Sequence, residues 1–169
     1  MMRGLEDLRR RWNGAALLVG VLAAAAPAIA AEGPRLRPTD LGAYALFTDL
    51  DSIEWTGRTA RVRLLQVTGE GFEVAGVAYV GGWRHFEIDC AARTVRETGF
   101  SSLRADGVEG PLTGIDRPAE AVAAGGLADM ASRVVCEDER PLGAGDLAGV
   151  DAAVEAGRRW IPTGEADQL

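Results

Sequence analysis

The chain has 169 residues, of which 25 are acidic and 18 basic, for a formal net charge of −7, and every basic residue is Arg. Without Lys there is no P-loop, which needs its ammonium on the phosphates, and no Schiff-base catalysis, which needs an amine. The acidic excess repels phosphate backbones and anionic lipid surfaces, which argues against nucleic-acid and peripheral-membrane partners.

Residues 1–30 carry the three parts of an export signal. Arg3 and Arg9 to Arg11 form a positive region, Ala15 to Ala26 an apolar stretch, and Ala28-Ile29-Ala30 the small residues that a signal peptidase needs. A stable bilayer span takes roughly 20 apolar residues, and Pro27 would break any extension. Cleavage near Ala30 is therefore expected, with retention as an anchor as the alternative. Loss of 1–30 removes four Arg and two acids, leaving 14 basic and 23 acidic residues and a formal charge of −9. No cysteine lies near the cleavage point to carry a lipid, and no second apolar run follows. The remaining 139 residues suffice for one ordinary core.

Residues 31–40 hold Gly33, Pro34 and Pro38 among isolated apolar residues and predict a flexible leader. Order is expected over 41–136. Tyr44-Ala-Leu-Phe47 and Ser52-Ile-Glu-Trp55 are β-prone runs, and Thr56-Gly57-Arg58 is a turn. From Thr59, Ala60, Val62 and Leu64 alternate with Arg61 and Arg63, which predicts a strand with one wet face. The alternation flips at Leu65 and Val67, implying a bulge or cover on both sides. Gly69 to Gly71 turns the chain into Phe72 to Val80. In the next strand Phe86, Ile88 and Cys90 share one face while Trp83, His85, Glu87 and Asp89 share the other. Thr94 to Leu103 is a further strand ending in the turn Ala105-Asp106-Gly107. Glu109 to Gly126 is a long connection. Leu127, Met130, Ala131 and Val134 then form a helical stripe, with Cys136 just past the helix end.

The tail, 137–169, holds a second amphipathic pattern. Leu147, Val150, Val154 and Trp160 recur at helical spacing behind Asp146 as N-cap. Such a helix either docks on its own domain or binds a partner, and Gly143 to Gly145 would let it hinge.

Cys90 and Cys136 are the only cysteines. In an exported chain they are most simply one disulfide, closing a loop of roughly 47 residues for about 4 kcal/mol in the chain-entropy picture. The alternatives are two unpaired buried thiols or a metal site shared with a histidine, but zinc ligands cluster at shorter spacings. The expected fold is α+β: an antiparallel sheet of five to six strands with a C-terminal helix disulfide-linked to a central strand.

Asp51-Ser52-Ile53, the alternating strand after it, Phe86-Glu-Ile-Asp-Cys90 with Arg93, and Val135-Cys136 together resemble the surface-adhesin protein E-like family of Gram-negative bacteria. The resemblance spans about 49–136 and implies the same sheet, helix and disulfide. It also implies a surface or secreted protein, since the name-giving members bind host matrix and plasma proteins and hemin. The chain departs from them in lacking a lipid-anchor cysteine and in its tail after Cys136.

His85 is the sole histidine. Asp89 on its strand face and Ser101 or Ser102 nearby invite a catalytic triad, but no Gly-x-Ser-x-Gly elbow is present. His85 with Tyr79 or Trp83 is the candidate set for hemin or a small ligand, although lone His and aromatic residues on strands more often pack. Asp49-Leu-Asp51 lacks the Gly and terminal Glu of a calcium loop and is expected to be a turn. No catalytic residue and no metal site is expected. The sequence thus points to an exported, non-enzymatic envelope or secreted binding protein without a required cofactor, its partner an envelope or extracellular protein. The alternatives are a periplasmic hydrolase and a hemin- or small-ligand-binding protein.

Overall fold

The computed structural model of the chain describes residues 33–161. The expected signal peptide over 1–30 lies outside the described residues, as does the tail beyond Ile161.

The described chain is mostly antiparallel sheet with two helices. In chain order the strands are β1 (Arg35–Leu41), β2 (Ala45–Asp49), β3 (Glu54–Thr56), β4 (Thr59–Val67), β5 (Glu73–Val74), β6 (Val77–Asp89), β7 (Thr94–Arg104), β8 (Thr113–Gly114) and β9 (Glu120–Ala121). Helix α1 (Leu127–Glu137), strand β10 (Leu147–Ala148) and helix α2 (Val150–Trp160) complete it. The sheet runs β10-β1-β2-β4-β6-β7-β8, with β3 on β4, β5 on β6 and β9 on β7. It therefore has ten strands rather than five to six. The surplus comes from two- and three-residue strands such as β5, β8, β9 and β10, too short to leave a period-two signal in the sequence.

The expected flexible leader over 31–40 is instead largely an ordered strand. β1 pairs with β2 from Leu36↔Asp49 to Leu41↔Ala45, and Leu36 is fully buried. Pro38 is accommodated where the register shifts between Pro38 and Asp40, in a strand near the sheet edge.

The two helices cover opposite faces of the sheet. On one face, α1 places Ala131 and Val135 against Ala60, Val62, Leu64, Phe86 and Ile88. On the other, Ala153 of α2 joins Leu36, Ala45, Phe47, Leu65, Val67 and Trp83, with Val150, Val154 and Trp160 packed against them. This explains the flip in β4. Leu64 and Leu65 are both fully buried because each faces a different helix, and β4 pairs with β6 in unbroken register from Thr59↔Asp89 to Val67↔Gly81, without a bulge. β6 and β7 do bulge, between Tyr79 and Gly81 and between His85 and Phe86. Gly81 has φ +151°, and a Cβ there would lie 1.8 Å from the Gln66 carbonyl oxygen, so only glycine permits that close approach.

Cys90 and Cys136 are disulfide-bonded, with Cα atoms 5.7 Å apart. Cys90 lies just beyond β6, in the middle of the sheet, whereas Cys136 lies inside the last turn of α1 rather than past its end. Arg93 in the β6–β7 turn reinforces the junction through Asp129 in the first turn of α1, at 3.1 Å. The tail also differs from expectation at its start. Asp146 does not cap a helix; it accepts hydrogen bonds from Arg37 Nε at 2.9 Å and Arg140 at 2.7 Å. Leu147 extends the sheet as part of β10, and α2 begins only at Val150 behind Gly149.

Candidate functional site

Two regions carry unusual chemistry, and both lie on the face that α2 only partly covers. The first surrounds His85. Register places Arg63 of β4 directly opposite His85 of β6, and Leu65 opposite Trp83. Asp49, at the end of β2, is 1% exposed and accepts from Arg63 Nε at 2.8 Å. The same guanidinium lies 4.0 Å from the Trp83 ring centroid and 3.7 Å from Glu109. Glu109 in turn accepts from the Ser101 hydroxyl at 2.6 Å. The 3₁₀ turn Leu50–Ser52 locks the cluster: Ser52 Oγ accepts from the Arg63 amide and donates to the Asp49 carbonyl. A cation stacked on an indole and held by a buried carboxylate has little freedom left to move.

His85 sits at the edge of this network without joining it. Its Nε2 is buried with no hydrogen-bond partner. Burial pushes its pKa below the ordinary histidine value, the Arg63 charge lowers it further, and Glu109 opposes both. His85 is therefore neutral near pH 7.

The residues expected to share chemistry are separated. Ser101 lies on the His85 face but donates to Glu109 rather than to the imidazole. Ser102 pairs with Gly82 and so faces the other side of the sheet. Asp89 is occupied with the β6–β7 turn, accepting from the Ala91 and Ala92 amides at 2.9 and 2.8 Å. A serine, a base and an orienting acid are not assembled. His85 and Trp83 share a face, but Tyr79 stands six residues away from His85 along β6, about 20 Å at the usual strand rise, and packs edge-on against Phe72. The candidate trio does not converge on one ligand. Among the described residues, no three His, Cys, Asp or Glu side chains are grouped to hold a metal. Asp49-Leu-Asp51 is the expected turn, with Asp49 capping it through the Asp51 amide.

The second region went unnoticed at the level of sequence. It is a groove of about 430 Å³ where α2 passes the end of the β6–β7 hairpin. Val80, Leu103, Val150 and Val154 give it an apolar floor, and Arg104 and Arg158 line it. Glu70, Asp151, Glu155 and Arg159, all exposed, form its rim. Arg159 faces Glu155 at 3.8 Å, whereas neither Arg104 nor Arg158 has a carboxylate partner among the described residues. The Arg158 Nε is buried without an acceptor among the described residues. Arg158 follows Val150 and Val154 at four-residue spacing on the packed stripe of α2, whereas Arg159 follows Asp151 and Glu155 on the exposed one.

Among the described residues no helix is long and apolar enough to cross a membrane. No protein-family model matches the chain, and no curated protein matches it. Among solved structures the chain is similar to Haemophilus influenzae protein E in its second crystal form, at 11% identity and a TM-score of 0.48, covering 67% of this chain and 94% of that one. This is a weak fold-level resemblance.

Proposed function

We propose that the chain is an exported, non-enzymatic binding protein of the envelope or extracellular space, and that the groove beside α2 is where it takes its ligand. The export part is supported by the Cys90–Cys136 bridge, since a structural disulfide persists in oxidising compartments and is rare in a reducing cytosol. The binding part is supported by one observation above all: a concave, apolar-floored site of ligand size is lined by a guanidinium that has no acceptor among the described residues. The non-enzymatic part is supported by the engagement of the polar groups around His85 with one another, Ser101 with Glu109 and Arg63 with Asp49, rather than with an open reaction centre.

Expression of the whole chain in a Gram-negative host tests this. The expected outcome is protein in the periplasmic or extracellular fraction that begins near Ala31 and has no titratable thiol. Protein retained in the cytoplasm with two reactive thiols overturns the export reading. For binding, Val154→Trp, which fills the groove, is expected to abolish ligand retention without unfolding the protein. Retention unchanged by Val154→Trp moves the binding function elsewhere.

A further inference from the structure

Three buried polar side-chain atoms lack a hydrogen-bond partner among the described residues: Thr68 Oγ1, His85 Nε2 and Arg158 Nε. One of them, Arg158 Nε, belongs to a residue that lines the groove beside α2. A desolvated guanidinium nitrogen is costly to leave unpaired, and natural interiors rarely tolerate one without a ligand, ion or water.

The surroundings define what would satisfy Arg158. The floor of Val80, Leu103, Val150 and Val154 is aliphatic and contains no aromatic ring, so it suits a chain rather than a flat ring system. The groove follows α2 from Val150 to Arg158; at 1.5 Å per residue those eight steps span about 12 Å, the reach of a medium-length alkyl chain. The carboxylates of Glu70, Asp151 and Glu155 lie on the exposed rim among Arg104 and Arg159, where solvent weakens their fields. Arg158 is the least exposed of the three lining cations, and its Nε is buried. A guanidinium in such a position favours a carboxylate or phosphate, which it grips with paired hydrogen bonds.

We propose that this groove binds a single-chain amphiphilic anion, its acidic head on Arg158 and its alkyl chain along the valine and leucine floor. This rests on the groove being the binding site, as proposed above, and narrows the ligand to one chemical class. A carboxylate and a phosphate monoester share the chemistry and are separated by the choice of probe.

The test is calorimetric titration of the purified, disulfide-bonded protein with decanoate, decyl phosphate, decanol and decyltrimethylammonium. The expected result is saturable binding of at least one of the two anions, with decanol weaker by about tenfold or more and the cation weaker still. Whichever anion binds more tightly names the natural head. Arg158→Gln is expected to bring the anion down to the level of decanol. Val154→Trp is expected to remove binding of every probe, with circular dichroism confirming that each variant is folded.

Equal binding of decanol and the anions overturns the anionic-head assignment while leaving an apolar binding groove in place. Binding that survives Val154→Trp overturns both the ligand class and the site. Absence of binding by either anion at millimolar concentration overturns the ligand class alone. Should Arg158→Gln fail to fold, the comparison of decanoate with decanol on the unaltered protein still decides the matter.

Discussion

Arg37 stands where sequence offered nothing but a polar residue in a proline-containing leader, and the folded chain makes it one of the most constrained side chains present. Its guanidinium is 5% exposed and pairs with Asp146 at 2.9 Å and with Asp138, joining β1 to the segment between α1 and α2. Arg37→Ala removes the charged hydrogen bonds to both acids while Asp146 keeps Arg140, so it is expected to cost about 2 kcal/mol, measured by urea denaturation at pH 7. Hydrogen bonding to Arg37 holds the Asp146 carboxyl below the usual carboxylate range, with burial opposing and Arg140 assisting. A depressed folded pKa adds stability that is complete above the unfolded value near 4 and is lost as pH falls through the lower folded value. Acidification below about pH 4 should therefore lower the melting temperature, and Arg37→Ala should flatten that fall. His85 acts in the same direction in a higher pH window. Because burial and Arg63 lower its pKa, the unfolded state binds the proton more readily, and stability falls as pH drops below the ordinary value of 6.5. In His85→Gln this part of the slope should vanish from melting curves taken between pH 5 and 7, measured against the unaltered protein; an unchanged slope would place the titration elsewhere. The face occupied by His85 followed from strand alternation, but its partnership with Arg63 required the register of β4 on β6.

At the scale of elements, the long strands were legible and the short ones were not. β4 and β7, and β6 from Trp83 onward, announce themselves by alternation and by the turns that bound them. β1 did not, because Pro34 and Pro38 carry turn signals that the pairing with β2 overrides. The helix in the tail was visible in its periodicity, while its place in the molecule was not. Gly157 decides that place: a Cβ there would lie 3.0 Å from Ala45 Cβ and 3.2 Å from the Phe47 ring, so the helix approaches the sheet at a distance only glycine allows comfortably. Gly143 to Gly145 therefore do not serve a free hinge, since α2 is held against β2 and β4 and Trp160 stacks on Phe47 with centroids 6.0 Å apart. Gly157→Leu should overpack this contact at a cost of about 2–3 kcal/mol. Red-shifted Trp160 emission and faster proteolysis after Gly143 are the expected readouts; unchanged emission and protection would mean that α2 has room to adjust.

For the whole molecule, two helices on opposite faces divide the core into two clusters, one beneath α1 and one beneath α2, with the sheet as the wall between them. Neither is large, and the cross-link between β6 and α1 spans a separation of 46 residues. Reduction, or Cys90→Ser with Cys136→Ser, should therefore lower stability by about 4 kcal/mol in the chain-entropy picture. The loss should be felt first at α1, as faster amide exchange over Leu127–Glu137 relative to the strands of the sheet. Equal exchange in both redox states would mean that packing alone holds the helix. The sequence by itself determined the alternating strands, both amphipathic helices and the pairing of the two cysteines, because each is written in local periodicity or in the count of a rare residue. Tertiary structure alone decided which face each helix covers, that Leu64 and Leu65 are both core, that Arg37 is clamped, and that the stripe of α2 ending in Arg158 borders a groove against Val80 and Leu103. Those outcomes depend on strand register and on helix docking, which bring together residues a hundred positions apart and leave no trace in the spacing around any one of them.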